Sequence, residues 1–191
     1  MEVFEKELKW IKSEPIRKLV EVTLEELTNF NGKEFFKAPA SKTGRHHPKC
    51  SNVQGGLIRH TKRAASVAEH LCRAMAFTDA QKDIVIASVI LHDIRKDDYR
   101  HHAESAVTFI AKVLSEYDDL AGQIGMDAIL KITGCIGHHM GPWTHHSIKK
   151  QMSEYSQEEL ITYLSDYLSS CKDVVTSEDD CDLSSLEDLV K

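Results

Sequence analysis

Apolar positions along this chain recur at helical intervals and nowhere alternate as they would in a half-buried strand. The densest run, Ile84-Val85-Ile86-Ala87-Ser88-Val89-Ile90-Leu91, leaves no polar face. Residues 80–92, started by Thr78-Asp79, are therefore predicted to form a central helix buried nearly all round. Amphipathic segments surround it. Upstream, residues 57–76 place His60, Ala64, Val67, Ala68, Leu71 and Met75 on one face; downstream, His102, Ala106, Phe109, Ile110 and Val113 do the same. Within residues 124–139, Ile129, Ile132, Ile136 and His139 share a stripe until Gly141-Pro142 stops the helix. Ser156 and Glu159 have capping-box spacing and open a helix over 157–170, whose main stripe is Leu160, Ile161, Leu164 and Leu168.

Two shorter helices, 3–12 and 15–30, precede these, the second started by Ser13 and Pro15 and stopped by Asn31-Gly32. Residues 37–56 carry two prolines, three glycines and no helical period, and read as a long loop made basic by Lys42, Arg45, His46, His47 and Lys49. The expected architecture is an all-α, single-domain helical bundle. Its parts are amino-terminal helices and a basic loop over residues 1–45, a core over 46–175, and an acidic, mobile tail over 176–191 with one short amphipathic stretch at Leu183, Leu186, Leu189 and Val190.

Composition narrows the function classes. At 191 residues and 41% apolar content, one domain with a substantial core is the default. The net charge of −6 opposes strong binding to long nucleic acids, whose affinity rests on clustered Lys and Arg. No apolar run is long enough to cross a bilayer, and the first seven residues do not read as a basic leader, so a cytoplasmic protein is expected. The five cysteines are scattered, without a Cys-x-x-Cys pair, and read as reduced thiols. His46, His47 and Cys50 are close enough in sequence for a zinc cluster but have no second ligand pair, which favours a plain loop.

The candidate chemistry lies in the histidines and carboxylates. His92-Asp93 ends the central apolar helix, His60 lies upstream, His101-His102 and His138-His139 follow, and Asp166 comes last. Each alone has an ordinary explanation: a histidine at the negative end of a helix dipole, an aspartate capping a turn, a core imidazole. As an ordered set they suit one or two divalent transition metals: zinc, manganese, iron, nickel or cobalt. Periodicity leaves Asp166 off its helix's apolar stripe, as a surface residue would be.

This order of residues resembles the HD-domain metal-dependent phosphohydrolase superfamily over roughly residues 46 to 170. Leu91-His92-Asp93-Ile94-Arg95-Lys96 is similar to that family's usual His-Asp-Ile-Gly-Lys run, with Arg95 standing where the family has glycine. His46-His47-Pro48 through Gly55-Gly56-Leu57-Ile58-Arg59-His60-Thr61 looks most like the HD domains of YhaM-type 3'-5' exoribonucleases. The resemblance implies one ion held by His60, His92, Asp93 and Asp166 and another by His102, His138 and His139, with Asp93 bridging. It implies phosphoester hydrolysis by a hydroxide generated at the metals, on a small phosphorylated substrate or short oligonucleotide. Lys96 stands at the family's lysine position as a substrate-phosphate contact, with Arg63 and Arg45 as further candidates; the alternative for each is a solvated charge. Trp143 and Tyr163 could stack on a base or simply pack. The alternatives are a nucleoside monophosphatase, a cyclic-nucleotide phosphodiesterase, or a non-catalytic regulatory module with a structural metal.

Overall fold

The structure is a computed structural model that describes residues 2–30, 32–41, 43–44, 47–117 and 119–174. The tail over 176–191, Lys42, Arg45 and His46 lie outside the described residues. Among those described there is no strand, and the elements are α1 (Glu5–Leu8), α2 (Glu14–Phe30), α3 (Gly32–Lys37), α4 (Gly56–Ala74), α5 (Asp79–Leu91), α6 (His102–Glu116), α7 (Leu120–Ile124), α8 (Met126–His138) and α9 (Gln157–Ser170).

Helix α5 is the axis of the bundle. A capping box starts it, with the Gln81 amide donating to Thr78 Oγ1 at 3.3 Å and the Thr78 amide to Gln81 Oε1 at 3.2 Å. From Asp83 to Leu91 every residue is buried, against α4, α8, α9 and α2. Two polar groups are admitted to this apolar surroundings because each is satisfied. Ser88 Oγ donates to its own helix at Ile84 and lies 3.3 Å from the Ile132 carbonyl of α8. The Asp83 carboxylate accepts the backbone amides of Lys12 and Ser13 at 2.8 and 2.7 Å, fastening the α1–α2 connection to the start of α5.

Two short helices add to the pattern-based expectation and one buried face departs from it. Between the stop expected at Asn31-Gly32 and the loop expected from Lys37, a stretch to which the pattern assigned no element, the chain makes α3. The helix expected within 124–139 is found there, from Met126 to His138, and Gly125, at φ 85°, separates it from the short α7 that the pattern did not assign. In α9, Leu164 and Leu168 are only half-buried; the buried face is Glu158, Ile161, Thr162, Ser165 and Ser169. Thr162 and Ser165 return their hydroxyls to the carbonyls four residues back, at 2.8 and 2.7 Å, so a small-residue face packs against α4, α5 and α8 without stranded polar groups.

The loop between α3 and α4 is anchored at both ends. Gly55 donates to Lys37, Leu57 to Ala38, and Ala40 to Ser51. Asn52 Nδ2 donates to the carbonyls of His47 and Pro48 at 3.0 and 3.1 Å, fixing the turn that carries His47. A Cβ on Gly56 would drive into the Ser51 carbonyl, so glycine is required for this turn to feed α4.

Candidate metal centre

His60 comes from the first turns of α4, His92 and Asp93 follow the last residue of α5, His102 opens α6, His139 caps α8 and Asp166 lies in α9. All but Asp166 are 1% exposed. Their polar atoms converge. His60 Nε2 is 2.8 Å from Asp166 Oδ1, and His92 Nε2 is 3.6 Å from that same oxygen. Asp93 Oδ2 faces His92 Nε2 at 3.4 Å and His60 Nε2 at 3.9 Å. The other oxygen, Oδ1, faces His102 Nε2 at 3.2 Å and His139 Nε2 at 3.6 Å. Asp93 is thus common to two groups of donors, one on each carboxylate oxygen.

The outer nitrogens determine what the inner ones present. His92 Nδ1 is 2.7 Å from the Val89 carbonyl, His139 Nδ1 2.7 Å from that of Ile136, and His102 Nδ1 3.3 Å from that of Tyr99. Ser169 donates to the Asp166 carbonyl at 2.8 Å, which leaves its oxygen to accept from His60 Nδ1 at 3.1 Å. With the ring proton engaged on Nδ1, each Nε2 turns a lone pair inward. The consequence is sharpest between His102 and His139, whose Nε2 atoms stand 3.1 Å apart with only a proton or a cation able to reconcile them. His60 Nε2 and His92 Nε2 are likewise buried without a hydrogen bond of acceptable angle, despite the nearby carboxylates.

These separations fit a metal. Ligands about 2.1 Å from a tetrahedral ion lie roughly 3.4 Å from one another, and the contacts here run from 2.8 to 3.9 Å. Imidazole nitrogen and carboxylate oxygen are the donors borderline divalent ions prefer. His60, His92 and Asp166 form one grouping that could hold an ion, and His92, Asp93 and His139 another.

Without a cation, the cluster holds protons instead. Burial alone would push His92 down, but the carboxylates of Asp93 and Asp166 hold it protonated, up to about 10. Burial, with repulsion from His92 and His102, takes His139 down to about 4 against the pull of Asp93. Asp93 and Asp166 resist the upward push of burial and sit well below the usual carboxylate range, Asp93 through His92 and Lys96, Asp166 through His60 and His92. Lys96 Nζ is 2.9 Å from both oxygens of Asp93. The side chains of Lys96 and Asp166 are 25% and 23% exposed, so solvent reaches the centre on their side.

A family model, the HD domain, matches residues 57–171. The chain belongs to the HD domain family. HD domains are generally metal-dependent hydrolases, and in this one the residues that could carry a divalent ion span the match from His60 to Asp166. No curated protein and no solved structure matches the chain.

Not every residue singled out in the sequence reaches this HD-domain centre. His138 points away: its Nδ1 is 2.7 Å from Glu159 Oε1 and its Nε2 3.1 Å from the Ile148 carbonyl, so both nitrogens are engaged elsewhere. The reason is rotational, since neighbouring helical residues project about 100° apart. Arg63 is 4% exposed and donates to the carbonyls of Ser169, in the last turn of α9, and of Val174 beyond it, a structural position rather than a substrate-facing one. Arg45 lies outside the described residues. Arg95 is fastened to Asp97 by two hydrogen bonds of 3.0 Å. His47, read in the sequence as part of a basic loop, stands edge-on to His60 with ring centroids 5.0 Å apart. Its Nδ1 is buried with no hydrogen-bond partner, and burial and the neighbouring His60 bring it down to about 4. Ser169, which aims His60, lies three residues after Asp166 and is visible in the sequence only as a small residue one turn on from a candidate ligand.

Tyr163 and Tyr167 flank Asp166 along α9 and stack at 6.0 Å, and Trp143 stacks on Tyr167 at 6.3 Å. Tyr163 is buried, whereas Trp143 is 64% exposed. Gly141, at φ 55°, lets the turn before Trp143 approach, since a Cβ there would enter the Tyr163 ring.

Proposed function

We propose that the protein hydrolyses a phosphoester bond in a nucleotide or short oligonucleotide and depends on divalent transition metals, two per chain. The observation that carries this reading is Asp93, a carboxylate 1% exposed with one oxygen toward His60 and His92 and the other toward His102 and His139. His60, His92, Asp93 and Asp166 would hold one ion, and His102, His139 and Asp93 the other. His138 is left out of the set, because its nitrogens are taken by Glu159 and Ile148. Such ions, when bound, supply the acidification of water and the charge stabilisation at phosphoryl oxygens that phosphoester hydrolysis needs.

The chain's own contribution is orientation and charge. Val89, Ile136, Tyr99 and Ser169 hold the four rings so that Nε2 faces inward. Lys96, partly exposed beside Asp93, is the group we assign to a substrate phosphate, for which an ammonium serves as a mobile point charge. Nucleotides are favoured among phosphoesters by the stack of Trp143, Tyr167 and Tyr163 beside Asp166, because an exposed indole face accepts any base. The likeness of residues 46–61 to YhaM-type exoribonucleases supports the oligonucleotide end of this range, and the net charge of −6 argues against long RNA.

The test is a screen of mononucleotides, cyclic nucleotides and short RNA against purified protein supplied separately with manganese, nickel, zinc or magnesium. Metal-dependent turnover of one class, abolished by Asp93→Ala, is the expected result. Bound metal without turnover of any phosphoester would replace the reading with a regulatory module.

A further inference from the structure

We propose that His101, Glu104 and His145 form a second, peripheral site for a divalent transition metal, zinc in the first instance, on the surface beside the buried centre. His101 precedes the first residue of α6, and Glu104 lies one turn along; His145 arrives from the segment after the 3-10 turn Gly141–Trp143. Glu104 presents one oxygen to each histidine: Oε2 is 2.9 Å from His101 Nδ1 and Oε1 is 3.5 Å from His145 Nδ1. The two imidazole rings stand edge-on, 4.4 Å apart between centroids. One ligand atom from each residue lies within 4.8 Å of the others.

Two imidazoles and a carboxylate are a three-ligand zinc set, with a fourth position left to water or another side chain. Closing on a tetrahedral ion requires donors about 3.4 Å apart, so donors that stand within 4.8 Å of one another need draw together by at most about 1.4 Å. They can, because they are 45%, 26% and 30% exposed and their rotamers are not locked in a core. The His146 ring, 4.1 Å from that of His145, is within reach of the open position. Ser147 now bonds both Glu104 and His145 Nδ1, and an ion would displace it from the nitrogen.

The site is separate from the centre around Asp93 and uses none of its residues. Its position gives it a consequence nonetheless. His101 adjoins His102, and His145 lies on the segment that follows His139, so an ion here would tie together the two pieces of chain that present those buried imidazoles. The inference does not depend on the reaction proposed above.

The test is the zinc content of the full chain, saturated with zinc, freed of excess by gel filtration and measured by plasma mass spectrometry beside His145→Ala and Glu104→Gln. Each variant is expected to carry one zinc per chain fewer than the unaltered protein, with circular dichroism unchanged. Equal zinc content in all three proteins would overturn the site. Anomalous scattering at the zinc edge gives a reading that needs no variant: a peak bounded by His101, Glu104 and His145 is expected, and a zinc-soaked crystal without one would overturn the inference as well.

Discussion

Ser169→Ala isolates the step from hydrogen bonding to metal affinity. Ser169 is fully buried, accepts from His60 Nδ1 at 3.1 Å and donates to the Asp166 carbonyl at 2.8 Å. Without the hydroxyl, an Nδ1 proton would be buried and unpartnered, at a cost of about 1–3 kcal/mol. His60 has a partial escape: moving the proton to Nε2 places it beside the Asp166 carboxylate, whose Oδ1 lies 2.8 Å away but off the N–H axis. The metal-free protein therefore recovers part of that cost, while coordination must first reverse the tautomer to restore the inward lone pair. Loss of a hydrogen bond that orients a ligand imidazole lowers metal affinity about 10–100-fold, equivalent to roughly 1.4–2.7 kcal/mol. Competition titrations against a chromophoric chelator measure the affinity, and urea unfolding of the metal-free protein measures the stability. Unchanged affinity for both ions in a normally folded Ser169→Ala protein would refute the reasoning, as would a loss of stability as large as the loss in binding.

Other consequences are as direct. Asp83→Ala removes two charge-assisted acceptors from the Lys12 and Ser13 amides, and should cost about 2–4 kcal/mol in urea unfolding, since those amides can be partly rehydrated. His138→Ala should leave metal content unchanged while lowering stability by about 1–2 kcal/mol through the loss of the Glu159 and Ile148 contacts; loss of an ion would return His138 to the ligand set. Because Asp93 and Asp166 raise His92 to about 10 against its burial, that ring is protonated at neutral pH in the metal-free protein and must lose its proton to coordinate. Metal binding should then release a proton, and apparent affinity should rise about tenfold per pH unit between roughly 7 and 9; calorimetry in buffers of different ionisation enthalpy checks this, and no proton release would contradict it.

Much of the bundle can be read from periodicity because its helices bury what their apolar stripes promise. Helix α5 is the clearest case, nine consecutive buried residues ending where His92 and Asp93 begin. Asp166 is the opposite case. A hydrophobic stripe through Leu160, Leu164 and Leu168 points elsewhere, because α9 packs through Thr162, Ser165 and Ser169, whose hydroxyls satisfy themselves on the preceding turn or on His60. Hydrophobicity scores such residues as surface, although small size and local hydrogen bonds are what allow the close approach. The paired histidines divide for a rotational reason: His102 and His139 face Asp93, while His101 and His138 turn to Glu104 and Glu159. The stripe of Ile132 and Ile136 already favoured His139, but nothing local in the sequence assigned a partner to His138, since Glu159 lies 21 residues on. His47 was hidden in a loop whose course depends on Asn52 and on the tight turn at Gly56.

The most direct measurement is anomalous diffraction from crystals soaked in manganese. Two peaks roughly 3.5–4 Å apart are expected on either side of the Asp93 carboxylate, one among His60, His92 and Asp166 and the other beside His102 and His139. A map with no density at Asp93, or with manganese bound only elsewhere on the chain, would contradict the account.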